Sequence, residues 1–124
     1  MSVIKGDVAA DVLGTTRQTL KLLEINHSYK GYAYLICAIY LVLEDPGILT
    51  YICKGLYLEI ARQFDTTAFC VERNIRTIKN HLWECGDKAV LHKIFGDLYC
   101  CRIPTNAAFI DALSCYVMET LSNR

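Results

Sequence analysis

The longest apolar run in the chain, GYAYLICAIYLVL from Gly31 to Leu43, is thirteen residues long and lies between Lys30 and Glu44. A bilayer-spanning helix needs roughly 20 apolar residues, so this run is too short to cross a membrane and reads as a helix buried in a domain core. At 124 residues, 53% of them hydrophobic, the chain is long enough for one domain with a real core and too short for two. The opening MSVIKGDVAADV has no basic stretch followed by an apolar segment, so it does not read as a signal peptide and a cytoplasmic protein is expected.

Breaks are sparse (Pro46-Gly47, Gly55, Gly86, Gly96, Pro104), and the apolar spacing between them is helical. A first helix is expected over Asp11 to Ile25, weakly interrupted by Gly14, and the buried second helix over Lys30 to Asp45, stopped by Pro46. Ile48 to Lys54 is ambiguous. Leu56 to Phe64 reads as a third helix, with Leu56, Ile60 and Phe64 recurring every four residues. After the cap-rich break Asp65 to Thr67, a fourth helix runs from Ala68 to Glu84 and ends at Gly86. Lys88 to Phe95 makes a short fifth. The sixth follows Pro104, capped by Thr105 or Asn106, with Phe109, Ile110, Leu113, Val117 and Leu121 on one side. Only Leu98 to Ile103, LYCCRI, leans toward β. The expected fold is all-α.

Several functions are disfavoured by what the chain lacks. Seven cysteines are an odd number with no secretion signal, which argues for reduced thiols rather than a disulfide framework. No CxxC pair occurs, and the best assembly of metal ligands, His81 and Cys85 with His92, Cys100 and Cys101, falls short of zinc-site spacing, so no metal or cofactor is expected. There is no GxSxG nucleophile, no phosphate-cradling glycine loop, and His27, His81 and His92 lie far apart, so an enzyme is not expected. Net charge is zero, but residues 62 to 93 carry six basic and four acidic side chains, a modest local excess.

That excess falls on TTAFCVERNIRTIKNHLW, Thr66 to Trp83. Together with the preceding helix and the three-residue turn, this stretch has helix-turn-helix spacing, in which the second helix enters the DNA major groove. At about 100° per residue, Val71, Ile75, Ile78 and Leu82 share one arc, while Phe69, Arg73, Arg76, Thr77 and Asn80 lie opposite with Cys70 and Glu72 at the edges. Two arginines near the helix start suit base edges, since arginine to guanine is the commonest specific contact. Glu72 can accept from a cytosine amino group or hold an arginine in register, and Thr66 and Thr67 can donate to phosphates. A purely structural account is a solvated face whose Glu72 pairs with Arg76; it leaves the exposed Phe69 unexplained.

The segments KGYAYLICAIYLVLED (Lys30 to Asp45), LYLEIARQFDTTAFCVERNIRTIKNHLW (Leu56 to Trp83) and PTNAAFIDAL (Pro104 to Leu113) resemble the C-terminal DNA-binding domain of the sporulation-initiation response regulator, stage zero sporulation protein A. The resemblance runs from about Thr15 to Leu121. It implies a six-helix bundle without a wing, containing a helix-turn-helix that binds short DNA boxes, often as tandem head-to-tail copies. It places Glu72, Arg73 and Arg76 at DNA, Thr66, Thr67 and Ala68 in the turn, and a contact with RNA polymerase sigma factor near Asp87 to Phe95. The chain departs from the family pattern at Cys70, where a base-contacting arginine is usual. A thiol cannot make that bidentate contact, which removes roughly 1–3 kcal/mol of discrimination. CCRI before Pro104 likewise replaces a lysine-rich segment.

The chain is therefore expected to comprise an N-terminal extension and helix start over residues 1–14 and a DNA-binding domain over 15–124, with no receiver domain ahead of it. The expected contact set is Thr66, Thr67, Phe69, Cys70, Glu72, Arg73, Arg76, Thr77, Lys79 and Asn80, on a recognition helix spanning 68–84 in the major groove of double-stranded DNA. A homodimer or tandem pair on DNA is a further expectation. The alternative is a protein-interaction module or antagonist that keeps the fold but binds a homologue or RNA polymerase.

Overall fold

A computed structural model describes residues 6–99 and 102–123, with side chains described from residue 8. The described residues are helical with no strand. In order they form α1 (Gly6–Leu22), α2 (Gly31–Glu44), a 3-10 segment (Pro46–Tyr51) running into a π-helical segment (Ile52–Tyr57), α3 (Leu58–Gln63), α4 (Ala68–Cys85), α5 (Lys88–Phe95), a 3-10 turn (Gly96–Leu98) and α6 (Asn106–Ser122). None of these helices is long and apolar enough to cross a membrane.

The apolar run forms α2 as expected, at the centre of the bundle, where it touches α1, α4 and α6. Leu35, Ala38, Ile39, Val42 and Leu43 are buried, while Tyr32, Tyr34 and Tyr40 pack half-buried at the rim. Leu56 and Ile60 close the core from the third helical run, Val71, Ile75, Ile78 and Leu82 from α4, and Phe109, Ile110, Leu113 and Val117 from α6. Leu121, expected on that apolar side, is only half-buried.

Helix α1 differs from its expected bounds. It already runs at Gly6 and ends at Leu22, and Gly14 does not interrupt it. Three threonines lie inside its buried face, and two of them satisfy their hydroxyls on the helix itself, Thr16 to the Val12 carbonyl at 2.7 Å and Thr19 to the Thr15 carbonyl at 2.9 Å. A buried hydroxyl with a local acceptor behaves as a small core residue. The end comes where Glu24 takes φ 60° and the Ile25 N–H reaches back to the Leu20 carbonyl at 2.9 Å, leaving Ile25 buried beyond the helix. This is a Schellman ending without the glycine that usually marks one.

The third helical run also differs. The ambiguous Ile48 to Lys54 is helical, begun by the Asp45 side chain accepting from the Gly47 N–H at 3.2 Å, and regular α-geometry starts only at Leu58. Both Leu56 and Tyr57, adjacent in sequence, are buried in the wider π turn. Phe64, expected in the apolar series, caps α3 instead at 42% exposure, its ring edge-on to Tyr34 at 5.3 Å.

Helices α2 and α4 approach closely at Gly31, where an added Cβ would lie 2.8 Å from the Asn74 carbonyl oxygen and 2.8 Å from Ile78 Cδ1. The backbone atom cannot swing away, so a side chain there must push α2 off α4. Gly31→Ala is expected to cost about 1–3 kcal/mol of stability, as overpacking does. Urea denaturation checks this, and an unchanged midpoint would show that the two helices separate freely.

Candidate nucleic-acid interface

The turn between α3 and α4 is built from backbone hydrogen bonds. The Phe64 N–H donates to the Ile60 carbonyl at 3.0 Å and the Thr66 N–H to the Ala61 carbonyl at 2.9 Å, while Asp65 takes φ 52°. Aspartate tolerates this left-handed conformation better than most residues. The chain then extends at Thr67, whose hydroxyl oxygen accepts from the Cys70 N–H at 3.0 Å and caps α4. Ala61, buried, lets α3 lie close beneath α4. The result is a short helix, a tight turn and a helix of 18 residues held by its apolar face.

Around α4, Val71, Ile75, Ile78 and Leu82 face the core, as the periodicity requires. Phe69, Arg73, Arg76 and Thr77 are exposed, with Thr67 at the helix start. Phe69 is 68% exposed. Thr77 turns its hydroxyl onto the Arg73 carbonyl at 2.9 Å, and Asn80 is half-buried at the end of the stripe.

Several of the expected residues are placed differently from a simple exposed stripe. Lys79, named in the expected contact set, is only 6% exposed. Desolvation lowers its pKa, opposed by the nearby Glu72 carboxylate and aided by Arg76. Cys70 is half-buried and turned toward neighbouring side chains: Asn74 Nδ2 donates to its sulfur at 3.3 Å and to its carbonyl at 2.8 Å. Hydrogen bonding with Thr66 leads in lowering the thiol pKa, joined by Tyr34, the Lys30 charge and Asn74, against desolvation. Thr66 is half-buried as well.

Glu72 is another. Its carboxylate lies 3.5 Å from Arg76 Nη1, the i,i+4 pair that holds an arginine in register. It also receives Asn106 Nδ2 from α6, which lies 3.3 Å from the Glu72 carbonyl and 3.0 Å from the Tyr57 hydroxyl. Neither Tyr57 nor Asn106 stood out in sequence as part of this site, because they lie 49 residues apart and share no helical face. The third exposed arginine nearby, Arg62, is occupied by Glu59 on α3.

Among the described residues no group of three or more His, Cys, Asp or Glu side chains is placed to hold a metal ion. His81 instead packs against Tyr29 at 6.0 Å and His92 against Tyr99 at 5.0 Å. Cys100 and Cys101, and most of the β-leaning LYCCRI, lie outside the described residues or in turn and loop.

An all-helical bundle that presents a capped, arginine-bearing helix behind a tight turn defines a helix-turn-helix domain of the DNA-binding class. A family model described as "Sporulation initiation factor Spo0A C terminal" matches residues 16–117, from α1 to the last buried turn of α6. The chain belongs to that family, whose members are DNA-binding effector domains in sporulation transcription regulation and not a known enzyme family.

Proposed function

We propose that this chain is a sequence-specific, double-stranded DNA-binding regulator in which α4 lies in the major groove. The observation that carries this reading is the exposed pair Arg73 and Arg76, set opposite the buried Val71, Ile75, Ile78 and Leu82 in the first half of the helix that Thr67 caps. On this reading the two guanidiniums meet base edges, and Phe69 supplies apolar contact to a thymine methyl, which gives its exposure a use. The positive end of the α4 dipole and the Thr67 backbone meet phosphate. Glu72 acts by orienting Arg76. The exposed side of α5, with Lys88, Ala89, His92 and Lys93, is the surface that the family resemblance assigns to RNA polymerase sigma factor.

Zero net charge limits how much of the affinity is electrostatic. With roughly three phosphates neutralised, affinity is expected to fall about 40-fold between 50 and 200 mM salt, far less than for strongly basic domains. An in vitro selection from random duplexes, followed by the salt dependence of the winning site, tests the proposal. A single enriched box, or two boxes spaced for a head-to-tail pair, is the expected result. No binding to any duplex at low salt would sink it.

A further inference from the structure

Helix α4 is tied to α6 through one side chain. Asn106, the first residue of α6, is 8% exposed, and its amide nitrogen lies 3.0 Å from the Tyr57 hydroxyl, 3.3 Å from the Glu72 carbonyl and 3.5 Å from Glu72 Oε2. An amide nitrogen carries two hydrogens, so one points to Tyr57 and the other is shared between the two Glu72 oxygens. Turned the other way, the amide would set its oxygen against a carbonyl and a carboxylate. The neighbours therefore decide which end faces Glu72.

The amide oxygen is buried without a hydrogen-bond partner. An apolar residue of similar size would remove this unpaired oxygen but would take the donor from the buried Tyr57 hydroxyl, so stability alone does not single out asparagine here. What Asn106 does provide is a restrained carboxylate. Glu72 Oε2, the atom that it approaches, is the atom paired with Arg76 Nη1. An exposed arginine–carboxylate pair on its own is loosely held. A carboxylate that a buried donor from another helix approaches at 3.5 Å has fewer orientations open to it, and so has the arginine paired with it. Arg73, one turn earlier, makes no ion pair among the described residues.

We propose that Asn106 is a specificity-determining positioning residue: through Glu72 it holds the Arg76 guanidinium in the orientation that reads a base pair, so that α6 shapes base preference without touching DNA. This rests on the DNA reading above. Tyr57 anchors the amide from its far side, and burial raises its phenol pKa, against the lowering effect of the Asn106 hydrogen bond, so the anchor stays a neutral hydroxyl.

The test compares Asn106→Ala and Asn106→Asp with the unaltered chain by two measurements. The first is the base-preference profile of the selected duplex, with Arg73→Ala and Arg76→Ala as references for which base pair each arginine reads. Both Asn106 variants are expected to lose about fivefold or more of the preference at the Arg76 base pair and to keep it at the Arg73 base pair. Equal losses at both, as general destabilisation would produce, or no loss at either, overturns the proposal. The second is the Arg76 Nε–Hε NMR signal of the free protein, expected to move toward its unfolded-chain position in Asn106→Ala while the Arg73 signal stays. Where Asn106→Ala does not fold, Tyr57→Phe loosens the same amide and is read the same way. An unaltered chain that selects no DNA sequence defeats the DNA reading and the base-preference role together, whereas an Arg76 signal unmoved in the variants defeats the clamp itself, whatever the DNA result.

Discussion

Phe109→Ala is expected to lower the stability of the domain by about 3–5 kcal/mol, the range for removing a buried aromatic ring. Phe109 is fully buried and stacks on Phe95 at 5.6 Å with an interplanar angle of 22°. Trp83 meets Phe109 edge-on at 6.0 Å and packs at 4.9 Å on Phe95 and at 5.6 Å on Tyr99. This cluster is where the C-terminal end of α4, the short α5 and the start of α6 are joined. Truncating this fully buried ring leaves a cavity that rigid aromatic neighbours fill poorly, so the cost lies toward the upper end of the range. Against a typical total of about 5–15 kcal/mol, that is a third or more of the margin. Trp83 is the only tryptophan, so its fluorescence during urea unfolding reports on this cluster directly. A midpoint shift no larger than that of an exposed substitution such as Lys93→Ala would show that the cluster does not carry the packing between these helices.

Replacing both Arg73 and Arg76 by alanine is expected to remove most sequence preference while leaving weak binding to any duplex. Each bidentate arginine–guanine pair is worth about 1–3 kcal/mol of discrimination, so each single variant should relax one base position by about 5- to 150-fold. The two should not be equal. Arg73 is exposed, makes no ion pair among the described residues, and loses up to about 2 kcal/mol of side-chain entropy when it docks. Arg76 already has its guanidinium beside Glu72, so it gives up less side-chain freedom when it docks. Arg76→Ala should therefore cost more preference than Arg73→Ala. Competition binding against the selected and a scrambled duplex checks this ordering. Two variants that weaken both duplexes in equal proportion would assign the arginines to phosphates.

Much of the helical layout can be read in sequence because it rests on local chemistry. The caps at Thr67 and Thr105 sit where a hydroxyl can accept from an N–H three residues on, and the Lys88–Phe95 bounds of α5 agree with those expected. Where the expectations went astray, the signal was missing or of the wrong kind. Helix α1 ends with Glu24 in the left-handed conformation, and no glycine announces that end. The α1 threonines looked polar, yet they are buried because the helix's own carbonyls satisfy two of their hydroxyls. The period-four series through Phe64 failed because the chain turns there: its C-cap position puts the ring outside the helix face.

By itself, then, the sequence determined that α4 exists, where it begins, and which of its faces is apolar, since a 3.6-residue period and an adjacent cap are properties of neighbouring residues. Which polar side chains that helix actually presents was decided only by the tertiary structure. Lys79 is drawn in beside Glu72 and Arg76, Cys70 turns to Thr66 and Asn74, and Glu72 is fastened to an asparagine 34 residues away. Helical periodicity separates apolar from polar. It carries no record of the partners that a polar group meets once distant helices are packed against it, and those partners decide how Arg76 is held.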